Sequence, residues 1–295
     1  MDLSHIRFEG THTNRGSLGP QVLVRHPSLA RRRPPAQDEP VASGLPACIL
    51  SQQGLDPARY RHRPLERRLG ACLRALGVSS EVAAWERVES DRAAQAVALN
   101  TLLIGVSSFF RDAAVFEVIR TTVVDALKRL GRPPRVWSVG CSTGTELYSV
   151  AMILEQEGLL DGAELLGTDC RADAIWSARE GVFERDHVAN LDGRTRDRYF
   201  ERTCATWRIA SSLRNHTRWQ VADATRVKQP GIWDLVLCRN LVIYLHEPAG
   251  RTLLQDIASA LAPSGFLVVG RAERPHDSRS LRAAGTCTYQ NNVIA

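Results

Sequence analysis

The stretch VWSVGCSTGTE, residues 136–146, decides the fold of this chain. An apolar run leads into a turn that contains Gly140 and Gly144, and a helix is predicted to start near Thr145. Glycines let the main chain turn tightly and approach a ligand, and a helix N-terminus points unpaired N–H groups at it. This order predicts the nucleotide-type ligand site of an open α/β sheet, although the spacing alone also fits a plain strand-to-helix connection.

Length and composition indicate a globular protein. The chain has 295 residues, 44% hydrophobic and 24% charged, enough for one large or two modest domains. No run approaches the roughly 20 apolar residues of a membrane span, and the N-terminus lacks a secretory pattern. We therefore expect a cytoplasmic protein without membrane insertion. The seven cysteines are scattered and form no metal-ligand spacing, so we expect reduced thiols and no metal site.

The first 75 residues carry the whole net charge of +6. Part of it lies in RRRPPAQDEP, residues 31–40, a Pro-rich polar segment typical of disorder. We predict that residues 1–43 form a disordered basic arm. A basic region can meet nucleic acid, an anionic surface or an acidic protein. No basic stripe interleaved with aromatic residues is present, so a nucleic-acid partner is not expected.

The pattern of apolar residues changes after Pro133 and Pro134. Upstream, apolar residues recur at helical spacing, and Gly54 and Gly77 stop two of the predicted helices. Downstream, β-branched strands alternate with helices, which predicts a doubly wound, mostly parallel sheet. The predicted strands are 135–139, 164–168, 218–222, 233–238 and 266–270.

Polar side chains follow three of these strands. Asp169 ends one strand, Asp223 follows the next, and Arg239 with Asn240 follows a third. Ligands of open α/β sheets bind beyond the carboxyl ends of the strands. A single carboxylate there is more often a helix N-cap. Together the four residues favour a nucleoside, with Asp169 placed for the ribose hydroxyls and Asp223 for the adenine amine.

Five motifs resemble those of the CheR family of S-adenosylmethionine (SAM)-dependent methyltransferases, which esterify glutamates of chemotaxis receptors. They are SSFFRD (107–112), CSTGTELYS (141–149), LLGTD (165–169), CRNLVIYL (238–245) and LAPSGFLVVG (261–270). The stretch GLDPARYRHRPLERRL, residues 54–69, is similar to the family's helical domain. The resemblance implies a helical domain over 44–127 and a Rossmann-like class I methyltransferase domain over 128–295. It also implies a short antiparallel β insert near 199–213.

The resemblance also implies roles for single residues. Glu146 would bind the amino group of the methionine part, and Arg111 and Tyr244 would flank the methyl group as catalytic residues. The implied cofactor-binding set is Ser107, Arg111, Gly140, Ser142, Gly144, Glu146, Asp169, Asp223, Arg239 and Asn240. A carboxylate acceptor is already ionised at pH 7 and needs no base. An amine acceptor would need one, for which Asp112 or His246 is available.

The acceptor remains open at this point. The resemblance implies carboxyl O-methylation of glutamates on a signalling protein, with an acidic helical segment bound by a monomeric enzyme. The basic set for such a segment is Arg61, Arg63, Arg67, Arg68 and Arg74. Residues 70–72 and 270–275 depart from the family pattern, and the insert lacks the glycine-rich turn of receptor-tethering members. A methyltransferase for a small molecule of a biosynthetic pathway is the alternative, and a non-catalytic cofactor-binding module is a third.

Overall fold

The computed structural model describes residues 39–105, 107–226, 231–275 and 280–292. The predicted arm of residues 1–43 therefore lies mostly outside the described residues. Its last part is paired with residues 60–62. The Val41 N–H donates to the Tyr60 carbonyl and the His62 N–H donates to the Glu39 carbonyl, both at 2.9–3.0 Å. Val41 is buried, so the described structure begins ahead of the predicted boundary at residue 43.

The first part of the described chain is helical, as the spacing of its apolar residues predicts. Ser80 and Asp91 cap two of its helices by accepting from the Ala83 and Ala93 N–H groups, and Gly77 ends another in the left-handed conformation. The helices are α1 (Leu45–Gln52), α2 (His62–Glu66), α3 (Leu69–Leu76), α4 (Glu81–Ser90), α5 (Arg92–Leu102), α6 (Ala113–Val118) and α7 (Val124–Lys128), with a π-helical turn at Ile119–Val123.

The second part alternates strands with helices. The strands are β1 (Arg135–Val139), β2 (Glu164–Asp169), β3 (Val182–Glu184), β4 (Phe200–Arg202), β5 (Thr206–Ile209), β6 (Thr217–Val221), β7 (Trp233–Cys238), β8 (Leu261–Val269), β9 (Leu281–Gly285) and β10 (Thr288–Asn291). The helices are α8 (Thr145–Gln156), α9 (Ala172–Glu180), α10 (Arg185–Val188), α11 (Gly193–Tyr199), α12 (Ser211–Arg214) and α13 (Glu247–Ser259). All five predicted strands are present, whereas β3, β9 and β10 were not predicted.

The central sheet has seven strands in the order β6-β2-β1-β7-β8-β10-β9. The first five are parallel, and β10 is antiparallel to both of its neighbours. Val136 of β1 pairs with Leu165 on one side and Leu235 on the other, so β1 is central. The predicted doubly wound, mostly parallel sheet is confirmed. This order brings the carboxyl ends of β2, β1 and β7 side by side.

The sheet separates two apolar cores. Leu235 and Leu237 of β7 belong to one core, and Val236 and Cys238 belong to the other, since alternate residues of a strand face opposite sides. The first core contains α6 to α8 and the insert. The second contains α1 to α5 together with α13. Helices therefore cover both faces, as a buried parallel strand requires.

The antiparallel insert lies where it was predicted but is larger. Strands β4 and β5 fall within 199–213, and β3 joins them in the order β3-β5-β4. Three phenylalanines hold the insert against the chain that precedes α6. The Phe109 ring centroid lies 4.9 Å from that of Phe183 and 5.1 Å from that of Phe200, edge to face. The packing of these rings thereby fixes the SSFFRD segment against the insert.

The predicted division of the chain at residues 127 and 128 stays a prediction. One core contains residues of α1 to α5 together with residues of β1, β7, β8 and α13. No helix in the described part of the chain is long and apolar enough to span a lipid bilayer.

Candidate functional site

A cavity of about 280 Å³ lies at the carboxyl ends of β1, β2 and β7. Nine of the eleven predicted site residues line it: Ser107, Arg111, Gly140, Ser142, Glu146, Asp169, Arg239, Asn240 and Tyr244. Gly144 and Asp223 are absent from its wall. The parallel sheet gathers these residues because the turns that follow its strands share one edge.

The turn between β1 and α8 needs three left-handed residues. Gly140, Ser142 and Gly144 have φ values of 68°, 52° and 86°. A Cβ on Gly140 would lie 3.3 Å from the Leu241 side chain, so this glycine lets two walls of the cavity approach each other. A Cβ on Gly144 would lie 2.5 Å from the Trp219 ring. Gly144 therefore serves packing beneath the turn, and its predicted part in cofactor binding stays a prediction.

The Asp169 carboxylate is buried and fully engaged by the protein. Its Oδ2 accepts from the Ser142 N–H at 2.9 Å and from Arg171 Nη2 at 3.1 Å. Its Oδ1 accepts from the Arg171 N–H and from Arg171 Nε, both at 3.0 Å. Arg171 itself is 8% exposed and also lines the cavity. Sequence analysis missed Arg171, although a basic residue two positions after a strand-end carboxylate can fold back onto it.

Glu146 belongs to a chain of alternating charges. Its Oε1 accepts from the Ser138 hydroxyl at 3.0 Å, and its Oε2 accepts from Arg239 Nη1 at 2.9 Å. Arg239 also donates from Nη2 to Asp112 Oδ2 at 2.6 Å, and Asp112 Oδ1 lies 3.0 Å from Arg271 Nε. Arg239 is buried. The main role of its guanidinium is therefore structural, because it fixes Glu146 and the SSFFRD segment relative to β7.

Glu273 was not predicted as a site residue, yet it supports the turn after β7. It is 5% exposed, and its Oε2 accepts from the Gly270 and Asn240 N–H groups at 2.8 Å each. Its Oε1 accepts from the Ile243 N–H at 3.3 Å. Burial raises the pKa of the Glu273 carboxyl, and these backbone hydrogen bonds oppose the rise. The Glu273 carboxylate thus holds Asn240, which has a φ of 58°, in the left-handed conformation that asparagine tolerates better than most residues.

Tyr244 and Tyr60 bring the helical part of the chain to the cavity. The Tyr244 hydroxyl donates to the Ile104 carbonyl at 3.1 Å. Tyr60 forms a β-bridge with Leu245, and it lines the cavity although no sequence signal pointed to it. Burial raises the pKa of Tyr60 well above its ordinary value, and the nearby Cys170 and carboxylate groups add to the rise. Tyr60 is therefore neutral at pH 7.

The SSFFRD segment is strained around Arg111. Phe110 and Asp112 have φ values of 50° and 64°, in the left-handed region that such residues seldom adopt. The Phe110 N–H donates to the Ser149 hydroxyl at 3.0 Å, and the Ser107 hydroxyl is hydrogen-bonded to that of Thr145. Two residues of α8 thus hold the segment. Arg111 is exposed and lies on the cavity wall.

Asp223 does not line the cavity. Its Oδ1 accepts from the Thr225 N–H at 2.9 Å and from the Thr225 hydroxyl at 2.8 Å. Its Oδ2 is buried and has no hydrogen-bond partner among the described residues. A buried carboxylate oxygen without a donor is costly, so this oxygen is suited to accept a hydrogen bond from a ligand.

The arrangement favours transfer by positioning over covalent catalysis. No histidine lines the cavity. Its two thiols, Cys141 and Cys170, have pKa values that burial raises well above the ordinary range, with Asp169 adding to the rise. Both thiols are therefore neutral at pH 7, and neither is an activated nucleophile.

The chain matches a protein-family model described as CheR methyltransferase, SAM binding domain, over residues 105–289. The putative methyltransferase Cher3 of Pseudomonas putida is 31% identical over 76% of this chain and 85% of its own length. The chemotaxis protein methyltransferase of Escherichia coli is 28% identical over 82% and 87%. The probable biofilm formation methyltransferase WspC of P. putida is 29% identical over 75% of this chain, which spans 53% of that longer relative.

The family match extends over more than half of the chain, so this chain belongs to the CheR methyltransferase family. The predicted resemblance is confirmed. The cofactor of the family model is SAM, as its description states, and the Rossmann-like sheet described above is the scaffold that carries the site.

Proposed function

We propose that this CheR-family methyltransferase transfers the methyl group of SAM to glutamate carboxylates of a signalling protein. The observation that carries the proposal is that Arg111 and Tyr244 line the same cavity as Glu146 and Asp169. The cavity wall thus combines acidic groups, which suit a cationic cofactor, with the Arg111 guanidinium, which suits an anionic acceptor. The names of the E. coli and P. putida relatives support a signalling protein as the acceptor.

The residues of the cavity fit SAM. Glu146 would accept from the ammonium group of the methionine part while it holds Arg239. Asp169 would hold the ribose, and the unpaired Oδ2 of Asp223 supports a role toward the adenine amine although Asp223 is not on the cavity wall. Ser107, Gly140, Ser142, Arg239 and Asn240 would complete the wall. When bound, SAM supplies a methyl group on a sulfonium sulfur, which needs no further activation.

The chain's own residues then have to orient the acceptor. Arg111 would hold the acceptor carboxylate by charge-assisted hydrogen bonds, and Tyr244, fixed by its hydrogen bond to Ile104, would line the approach. No base is required because a glutamate carboxylate is ionised at pH 7. An amine acceptor fits less well: Asp112 is paired with Arg239 and Arg271, and His246 does not line the cavity.

An acidic helical segment is the partner that the helical part of the chain would fit. Arg63, Arg67 and Arg74 are exposed on and beside α2 and α3. Arg68 is partly committed, since its Nε donates to the Thr101 carbonyl at 3.2 Å. Cys72 is buried within α3. The available basic surface is thus narrower than the sequence suggested. This feature favours the alternative in which the acceptor is a small molecule.

One experiment separates the two acceptors. The enzyme is incubated with methyl-labelled SAM and the helical cytoplasmic fragment of a chemoreceptor, and the product is treated with mild alkali. We expect label on the protein that is released as methanol, because esters hydrolyse and N- or C-methyl groups do not. The triple variant Arg63→Ala, Arg67→Ala, Arg74→Ala should lose more than about tenfold in transfer.

The control is Arg179→Ala, which removes an arginine of α9 that donates to the Trp219 carbonyl. It should transfer label at the unaltered rate, and all variants should bind S-adenosylhomocysteine equally. If the triple variant methylates the protein as well as the parent does, or if the label resists alkali, the proposed acceptor is wrong.

A further inference from the structure

The Asp169 carboxylate receives four hydrogen bonds from the protein, two on each oxygen. Two come from backbone N–H groups, of Ser142 at 2.9 Å and of Arg171 at 3.0 Å. The other two come from the Arg171 guanidinium, through Nε at 3.0 Å and Nη2 at 3.1 Å. Asp169 and Arg171 are only 5% and 8% exposed. The pair is therefore a buried salt bridge on the wall of the cavity.

A carboxylate offers about four lone-pair positions. The four donors described above fill them, and a ribose diol brings two more O–H donors. We infer that Arg171 competes with the ribose of the cofactor for Asp169, and that its guanidinium must leave the carboxylate when the cofactor binds. Arg171 thus lowers the affinity for SAM. This inference rests on the proposed role of Asp169.

The guanidinium is the donor that can leave. The Ser142 N–H is fixed by the left-handed turn after β1, and the Arg171 N–H is fixed because Arg171 is the N-cap residue of α9. The Arg171 side chain, in contrast, changes position by rotation about its own bonds. Cofactor binding has to break the two charge-assisted hydrogen bonds between the guanidinium and Asp169, and this loss reduces the affinity.

A place for the displaced guanidinium adjoins the cavity. An open groove of about 410 Å³ shares Gly105, Ser142 and Arg171 with the wall of the cavity. Asp173 and Ser177 also line the groove. The Asp173 carboxylate already accepts from Asn100 Nδ2 at 3.1 Å and, like the Ser177 hydroxyl, can also accept from a guanidinium. Gly105 leaves room for the guanidinium in its present place on Asp169, because a Cβ there would lie 2.6 Å from Arg171 Nη2. Rotation into this groove keeps the charge in a polar setting.

The test is isothermal calorimetry with S-adenosylhomocysteine on the full chain. We expect Arg171→Ala to lower the Kd about tenfold, because two hydrogen bonds no longer have to be broken. Arg171→Gln retains one donor and should give a smaller gain, and it serves if the alanine variant does not fold. Arg179→Ala, on the same helix but away from the cavity, should leave the Kd unchanged.

A second ligand separates competition from a general change in the cavity. The 2′,3′-dideoxy analogue of S-adenosylhomocysteine has no hydroxyl groups to compete with Arg171, so its Kd should be the same for the parent and both Arg171 variants. Weaker binding of the normal ligand by these variants, or an equal gain for both ligands, would overturn the inference. The proposed role of Asp169, on which the inference rests, is wrong if Asp169→Ala binds S-adenosylhomocysteine as well as the parent does, whereas the proposed acceptor is tested separately by the alkali treatment.

Discussion

Glu273 gives the sharpest test of how the cavity wall is held. Its replacement by alanine removes the acceptor for three backbone N–H groups, two at 2.8 Å and one at 3.3 Å, at a position that is 5% exposed. An unsatisfied buried donor costs about 1–3 kcal/mol. The Ile243 bond is long and water can enter part of the space. We therefore expect Glu273→Ala to lower the free energy of unfolding by about 3–4 kcal/mol.

The same substitution should weaken cofactor binding, because Asn240 and the turn that carries Tyr244 lose their anchor. Urea denaturation gives the stability, and calorimetry with S-adenosylhomocysteine gives the Kd, which should rise more than about tenfold. Glu180→Ala is the matched control. It removes a carboxylate that is 42% exposed and pairs with Arg208 at 3.4 Å, so its effect on stability should stay within about 0.5 kcal/mol.

Two results would refute this reasoning. If Glu273→Ala unfolds within about 1 kcal/mol of the parent, the three hydrogen bonds do not support the turn. If stability falls as expected but the Kd is unchanged, then Glu273 stabilises the fold without positioning the cavity wall.

Two further predictions concern packing and pH. Gly144→Ala should lower the free energy of unfolding in urea by about 2–4 kcal/mol, because its Cβ would lie 2.5 Å from Trp219 and φ is 86°. The control Gly158→Ala, where φ is 69° and the space is open, should lower it by about 1 kcal/mol. Equal losses for the two variants would contradict the packing argument. Burial raises the pKa of Glu273 in the folded state. The proton-linked part of its contribution to stability is therefore present in full below the pKa of the unfolded chain, about 4.3, and is lost as pH rises through the folded pKa, while the hydrogen bonds to the backbone remain. The stability difference between the parent and Glu273→Gln should accordingly shrink as pH rises, and a constant or growing difference would contradict this assignment.

The sequence predicted the sheet well because its parallel strands are buried and apolar. β1 and β7 were placed with their observed bounds, and β7 is buried along its whole length. The strands that were missed are short or weakly patterned. β3 has three residues, VFE, and β9 reads LRAAG with little apolar character. Such strands form because neighbouring strands supply their hydrogen bonds, a tertiary effect that local pattern does not contain.

The site residues that lie in the turns after parallel strands could be predicted from the sequence. Nine residues found through motifs share the cavity because the parallel sheet brings their turns together. Arg171 and Glu273 were missed because their roles depend on side chains that fold back onto backbone groups. The sequence also shows that residue 144 is a glycine, yet it does not show that a side chain at this position would meet Trp219.

The β-bridge between Tyr60 and Leu245 bears on which parts of this protein can be exchanged. The Arg61 N–H donates to the Tyr244 carbonyl at 2.9 Å, and the His246 N–H donates to the Arg59 carbonyl at 2.8 Å. Three consecutive residues of the helical part are thereby paired through their backbones with the turn that carries Tyr244. A chimera that replaces the helical part with that of a relative must keep this short pairing intact. Under the proposed function, a substitution in this short pairing that changes the contact with the acceptor would also move the turn that carries Tyr244, and with it the wall of the cofactor cavity.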